Sequence, residues 1–215
     1  TVAVGVVVGA MAAPSPALAR DDDPDRDLRL AQPDFTIITL PTTLRLPRFK
    51  SAFRVTHRFA RPLGEGDFGD LLDDFFGLDS GAQIGLEYRF GIFRGAQIGI
   101  HRTSDKTIEF FSQYSIFQQQ NNGIFGLDAV ATIEGTNNFR DSYTPTLGVV
   151  LSRELGEFGA LYVEPRWVNN SNPQPSELVD DNDTFFIGLG ARIRIRPTVY
   201  LVGEVIPRVG YEPGV

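Results

Sequence analysis

The segment Gly81–Arg102, GAQIGLEYRFGIFRGAQIGIHR, alternates apolar and polar residues, breaks for the four residues Gly91–Arg94, and alternates again. Ala82, Ile84, Leu86, Tyr88 and Phe90 fall on one face, and Gln83, Gly85, Glu87 and Arg89 on the other. After the break, Ala96, Ile98 and Ile100 oppose Gln97, Gly99 and His101. Period two is the mark of a half-buried β-strand, and so short a break between two such runs means an antiparallel hairpin. A helix cannot carry this pattern, because its faces repeat every 3.6 residues.

The alternation recurs along the chain. Phe53, Val55, His57 and Phe59 alternate with Arg54, Thr56 and Arg58; Phe125 to Ile133 and Phe185 to Ile195 behave alike, apart from Val130 and Phe186. The pattern predicts ten strands, at 36–46, 50–60, 82–90, 95–103, 107–118, 124–134, 145–155, 159–169, 184–196 and 198–208. Most have the roughly 9–11 residues that a tilted strand needs to cross a bilayer. Short connections (LPRF, GIFR, QQNNG, GEFG and the Arg196–Pro197 corner) contrast with long ones at 61–81, 135–144 and 170–183. Short turns at one rim and long loops at the other are usual in outer-membrane barrels. Within the first long connection, Phe68, Leu71, Leu72, Phe75 and Phe76 recur at helical spacing, so 67–78 is expected to form an amphipathic helix.

The same alternation describes a soluble barrel with its apolar face inward. Three features favour apolar side chains facing lipid. The polar face is rich in Gly and in charges of both signs, which suits a crowded, hydrated lumen. Aromatics (Phe59, Phe90, Phe93, Phe117, Phe125, Tyr143, Trp167, Tyr200) gather near strand ends, where interfacial girdles form. Several strands are also longer than a small sandwich requires. The expected fold is therefore all-β, an antiparallel up-and-down transmembrane β-barrel with one short helix in a loop. One inconsistency remains. LPRF is already short, which would start the first strand on the wrong side of the membrane; either an earlier strand exists or 36–46 does not span.

The formal charge of −7 argues against a nucleic-acid partner. With no cysteine, a disulfide scaffold and a thiolate metal site are excluded. Residues 1–19, TVAVGVVVGAMAAPSPALA, resemble the apolar core and small-residue cleavage site of a secretory signal peptide that lacks its start. Residues 20–34 read as an acidic, disordered start, and 35–215 as the barrel. The ending YEPGV lacks the terminal aromatic of a closing strand, so the barrel is expected to be incomplete here, with ~12–14 strands when intact. The expected address is the bacterial outer membrane, and the expected partners are its lipid and, during insertion, the barrel-assembly machinery.

Four stretches resemble a known family: FRVTHRFARP (53–62), FFGLDSGAQIGLEYRF (75–90), FRGAQIGIHRTSDKTIEFFSQYSIF (93–117) and ARIRIRPTVYLVGEVIPR (191–208). They are similar to a bacterial outer-membrane β-barrel family known as domain of unknown function number five-seven-seven-seven, over roughly 49–213. The resemblance implies an outer-membrane barrel and carries over no catalytic residue.

The alternation points Arg54, Arg58, Glu87, Arg89, Glu109, Asp128, Glu134, Glu164, Arg166, Arg192, Arg194 and Glu204 into the lumen. Such a set either lines a narrow pore that selects solutes by charge or fills the barrel as an ion-paired network. A porin-like channel for small solutes is the leading expectation; a structural or adhesive barrel is the alternative, and a lipid-modifying enzyme a weaker one. No Ser motif accompanies His57, which shares the apolar face, and His101 has no second histidine near it in sequence. No enzymatic activity, cofactor or metal is expected. Asp180, Asp181 and Asp183 in the long loop read as a solvated acidic surface.

Overall fold

A computed structural model describes residues 2–3, 31–59, 67, 69–70, 82–119, 123–171 and 183–209. Nine long strands follow one another as antiparallel neighbours: β2 (Ser51–Phe59), β3 (Ala82–Phe93), β4 (Ala96–Thr103), β5 (Ile108–Phe117), β6 (Gly126–Gly135), β7 (Asp141–Glu154), β8 (Gly159–Val168), β9 (Thr184–Arg196) and β10 (Val199–Val205). Two short pieces join them: β1 (Val2–Ala3) on β10 and β11 (Arg208–Val209) on β9. The all-β, up-and-down reading of the sequence is what the chain adopts. Among the described residues the sheet is not closed, and β2 stands at one end.

The burial pattern is inverted relative to a water-soluble barrel. Thirty large apolar side chains are exposed among the described residues, whereas the buried hydrophobic core numbers ten. Phe53 is 66% exposed, Ile193 52% and Leu189 44%, while Glu87, Asp128 and Glu164 are at or below 4%. Soluble monomers rarely expose contiguous apolar patches beyond a few hundred Å². A wall with apolar side chains outside, whose neighbouring strands pair their backbone groups in register, suits hydrocarbon.

The two rims differ. At the near rim, β3–β4 and β7–β8 are joined by tight turns with Gly95 and Gly156 in the left-handed region, φ 81° and 59°, which glycine adopts without Cβ strain. Exposed Phe93, Phe117, Phe125 and Phe158 cluster at that end. At the far rim, Asn137, Asn138 and Phe139 take left-handed backbone in the helical turn Thr136–Phe139. Phe139 stacks edge-on against Phe110 and Tyr143, with ring centroids 5.1 and 5.0 Å apart. Aromatic side chains thus stand at both rims, the places where the sequence reading expects interfacial girdles. The connection between β6 and β7, read from sequence as long (135–144), is this five-residue turn, because both strands extend past the expected ends.

The largest departure from the sequence reading is at 36–46. This segment is not a strand of the wall. It runs inside the curved sheet as a hairpin, with one isolated antiparallel bridge, Thr36 to Pro41, and backbone hydrogen bonds from Ile37 N to Leu40 O and from Thr42 N to Phe35 O, each 2.8 Å. Pro41 and Pro47 each lack an N–H, so the segment could not have served as a regular central strand. Ala31 and Gln32, grouped by the sequence with the disordered start, are buried with it. Because both legs of the hairpin lie at the near rim, β2 begins there too, and the orientation inconsistency noted above disappears. The expected helix at 67–78 lies mostly outside the described residues; at its start, the Asp67 carboxylate accepts N–H groups of Gly69 and Asp70 at 2.7 and 3.1 Å. Asp180 and Asp181 also lie outside them, while Asp183 ties the base of its loop by accepting from the Asn169 amide at 2.6 Å.

Candidate functional site: a stoppered polar lumen

The hairpin 32–46 is held by hydrogen bonds to side chains from six strands. Its tip is gripped by Glu204 of β10, whose Oε2 accepts the backbone N–H groups of Ile38, Thr39 and Leu40 at 3.2, 2.9 and 3.0 Å. The Thr39 hydroxyl donates to Oε1 of the same carboxylate. From β2, Arg58 donates to Ile38 O at 2.8 Å, and Arg54 donates to Thr36 Oγ1 at 2.6 Å and to the Asp34 carboxylate at 3.2 Å. From β9, Arg192 donates to Thr36 O at 2.6 Å. The returning leg meets Gln113 of β5 (to Thr42 O, 2.7 Å), Ser152 of β7 (with the Thr43 hydroxyl, 2.6 Å), Gln97 of β4 (to Leu44 O, 3.2 Å) and the Ser115 hydroxyl (with Arg45). Gln32, fully buried, donates to Glu154 at 2.9 Å. Irregular backbone inside a membrane protein must find polar partners in the protein itself. Here the inner face of the wall supplies them.

Apolar packing completes the seat. Ile37 and Leu40 form a small core with Val130, Val150, Ala160, Tyr162 and Val202. Gly188 and Gly190 of β9 face the tip; a Cβ on Gly188 would lie 2.7 Å from Leu40 Cδ2, and one on Gly190 would overlap Ile37 Cδ1. These glycines leave the volume that the tip occupies.

Around the wall the strand register sets ionisable residues side by side. Arg54 lies opposite Glu87, Glu87 opposite His101, His101 opposite Glu109, and Glu109 opposite Glu134. Glu87 is buried and ion-paired with both Arg54 and Arg89. The Arg89 guanidinium sits between the rings of Phe35, on the hairpin side, and Phe111 of β5, 4.9 and 4.4 Å from their centroids. A cation between two aromatic faces is stabilised by both ring quadrupoles. His101 Nδ1 is 3.8 Å from Glu109, and two like-charged carboxylates face each other at Glu109 and Glu134. Cross-strand like charges are unfavourable.

Between the hairpin tip and the far rim lies a polar cavity of about 310 Å³, lined by Thr39, Arg54, Arg58, His101, Glu109 and Glu134 among others. Thr39 and Pro41 form part of its floor. In the far-rim turn above it, Asp105 accepts hydrogen bonds from the Thr103 hydroxyl, the Thr107 N–H and the Gln83 amide. The Thr103 hydrogen bond above all holds its carboxyl below the usual aspartate range.

Of the twelve residues singled out from sequence, Arg54, Arg58, Arg192 and Glu204 touch the hairpin by hydrogen bonds, and Arg89 touches Phe35 through its ring. Glu87 holds Arg54 and Arg89 in place. Asp128 accepts from Gln113 at 2.6 Å, and the fully buried Glu164 accepts from Arg166 at 2.8 Å. Glu109 and Glu134 border the cavity away from the hairpin. Arg194 is apart from this group, paired with Glu157 of the β7–β8 turn at 3.3 Å. Arg192 and Arg194, two residues apart on β9, are thus divided between the hairpin and the near rim. His57 is on the exposed face with Phe53 and Val55. Among the described residues, no cluster of three or more His, Asp and Glu could hold a metal ion.

Sequence reasoning missed the hairpin and its neutral partners Gln97, Gln113, Ser115 and Ser152. Two signals pointed to it: Pro41 within an apparent strand, and the wrong-sided start of the wall.

A family model described as a membrane bound beta barrel domain matches residues 34–213. No curated protein and no solved structure matches the chain.

Proposed function

The chain belongs to the membrane-bound β-barrel domain family, and from that premise we propose that it is a bacterial outer-membrane barrel whose passage for small solutes is stoppered from the near rim by the hairpin 32–46. The observation that carries this reading is the seating of that hairpin, with Gln32 and Thr42 fully buried against the polar inner face. Short turns face the periplasm in outer-membrane barrels, so the stopper enters from the periplasmic side. The cavity beyond the tip then opens toward the outside, and solute passes when the hairpin is displaced. Lumen charges of both signs, Arg54, Arg58, Glu109 and Glu134, border that route.

Conductance in planar bilayers tests the reading. The full polypeptide is expected to show rare openings, and a variant lacking 32–46 a steady, ohmic current. In a cysteine-free chain, Thr43→Cys with Ser152→Cys forms a lock whose oxidation abolishes the openings and whose reduction restores them. A folded, hairpin-deleted barrel that passes no ions would overturn the channel and leave a structural or adhesive barrel.

A further inference from the structure

We propose that two packed turns at the far rim form a site on the outer face of the wall for the phosphate groups of a phosphorylated glycolipid. The turns are 103–107, between β4 and β5, and 136–140, between β6 and β7. They meet where the Asn138 N–H donates to Lys106 O at 2.6 Å and where Arg102 donates to Asn138 Oδ1 at 3.1 Å. That junction gathers three exposed cations, Arg102, Lys106 and Arg140. Among the described residues none of the three forms an ion pair. The acids of the same turns are engaged otherwise. Asp105 borders the internal cavity and takes three neutral donors, and Asp141 accepts from the Asn137 amide at 2.8 Å. The cations are therefore left to an anion from outside the chain.

The place of these cations matches that of a lipid headgroup. Strand register sets Arg102 in one row with the exposed Leu86 and, through Ile108 and Gly135, with the exposed Tyr143, all on the apolar outer face. Beside and below it are the stacked rings of Phe110, Phe139 and Tyr143. Phe139 reaches them from left-handed backbone, φ 62°, which is uncommon for a bulky residue. Its ring covers Gly135, where a Cβ would lie 2.5 Å from Phe139 Cδ2. Of the seven non-glycine residues with left-handed backbone among the described ones, five lie in or beside these two turns, so the strain is concentrated here. Aromatic rings at the interface with cations just beyond them follow the order of an amphipathic lipid, acyl chain first and headgroup next. The choice of lipid rests on the orientation proposed above: with the short turns toward the periplasm, the far rim lies in the outer leaflet, whose glycolipid carries phosphates on its sugars. A phosphate monoester bears nearly two negative charges and three acceptor oxygens, and guanidinium and ammonium groups bind it by charge-assisted hydrogen bonds.

The test titrates the full polypeptide, folded in neutral detergent, with diphosphorylated lipid A and counts bound lipid by native mass spectrometry. Saturable binding is expected, weakening as salt is raised. In the triple variant Arg102→Gln, Lys106→Gln, Arg140→Gln it should fall about 100-fold, from about fivefold per cation. Lipid A stripped of its phosphates should bind the parent as weakly as the intact lipid binds the variant. Unchanged affinity in the triple variant overturns the proposal. Equal affinity of the parent for the dephosphorylated lipid, or for phosphatidylglycerol, overturns it too, because recognition then lies outside the glycolipid phosphates. The comparison of lipids uses the parent alone and stays decisive if the variant does not fold. Binding in detergent depends neither on the direction of insertion nor on conduction, so the lipid site and the channel stand or fall separately.

Discussion

Removing the carboxylate of Glu204 is the most direct perturbation of the stopper. One oxygen accepts three backbone N–H groups at 2.9 to 3.2 Å, and the other takes the Thr39 hydroxyl. A hydrogen bond to a charged group contributes about 1.5–3 kcal/mol net. The contributions do not simply add, because three donors share one oxygen and Thr39 borders the cavity, where water can replace part of the loss. For Glu204→Ala, roughly 3 kcal/mol is therefore expected against the seated hairpin. Glu204→Gln keeps an acceptor but not the charge, at about half that cost. Thr43, only 5% exposed, is a suitable reporter once changed to Cys. Its labelling by a water-soluble maleimide should follow the unseated population. At ~1.4 kcal/mol per factor of ten, labelling should rise on the order of 100-fold for Ala and about 10-fold for Gln. Equal rates in the parent and both variants, with barrels that still resist unfolding on gels without heating, would refute the idea that Glu204 holds the tip.

Further outcomes follow from other contacts. Gly190→Val should unseat the tip by overlapping Ile37, whereas Gly203→Val, with no heavy atom within 4 Å of its new Cβ, should leave stability within ~0.5 kcal/mol; urea unfolding in bilayers compares the two. Arg89→Ala leaves the buried Glu87 with one guanidinium and empties the space between Phe35 and Phe111, so a loss of ~3–5 kcal/mol is expected in the same assay, less in a Glu87→Gln background. Leu189→Arg puts a charge on the lipid-facing side of β9 and should cost ~2–4 kcal/mol; tolerance of it would place that face in water. Glu134→Gln should stabilise the wall slightly, since it removes one of two carboxylates directly opposed across β5 and β6.

The wall was legible in the sequence because its determinants are local. A strand between lipid and a polar interior must alternate, and the alternation at 82–90 or 184–196 can be read without knowing any distant contact. The hairpin was not legible, because what makes 36–46 a stopper is distributed over the rest of the chain. Ile37 and Leu40 are as apolar as lipid-facing residues, and only Gly188 and Gly190, some 150 positions away, reveal that they point inward. Likewise, period two assigns Arg54, Arg192 and Glu204 to one face but gives no hint that their partners are backbone groups of the hairpin. The neutral residues Gln97 and Gln113 carry no charge to draw notice, yet both donate to its carbonyls. One constraint did reach across that distance. In an up-and-down wall each connection fixes the side on which the next strand starts, so a short link before β2 already conflicted with a spanning 36–46. Strand direction is a global quantity that can be tallied from local turns, and it exposed the misassigned segment.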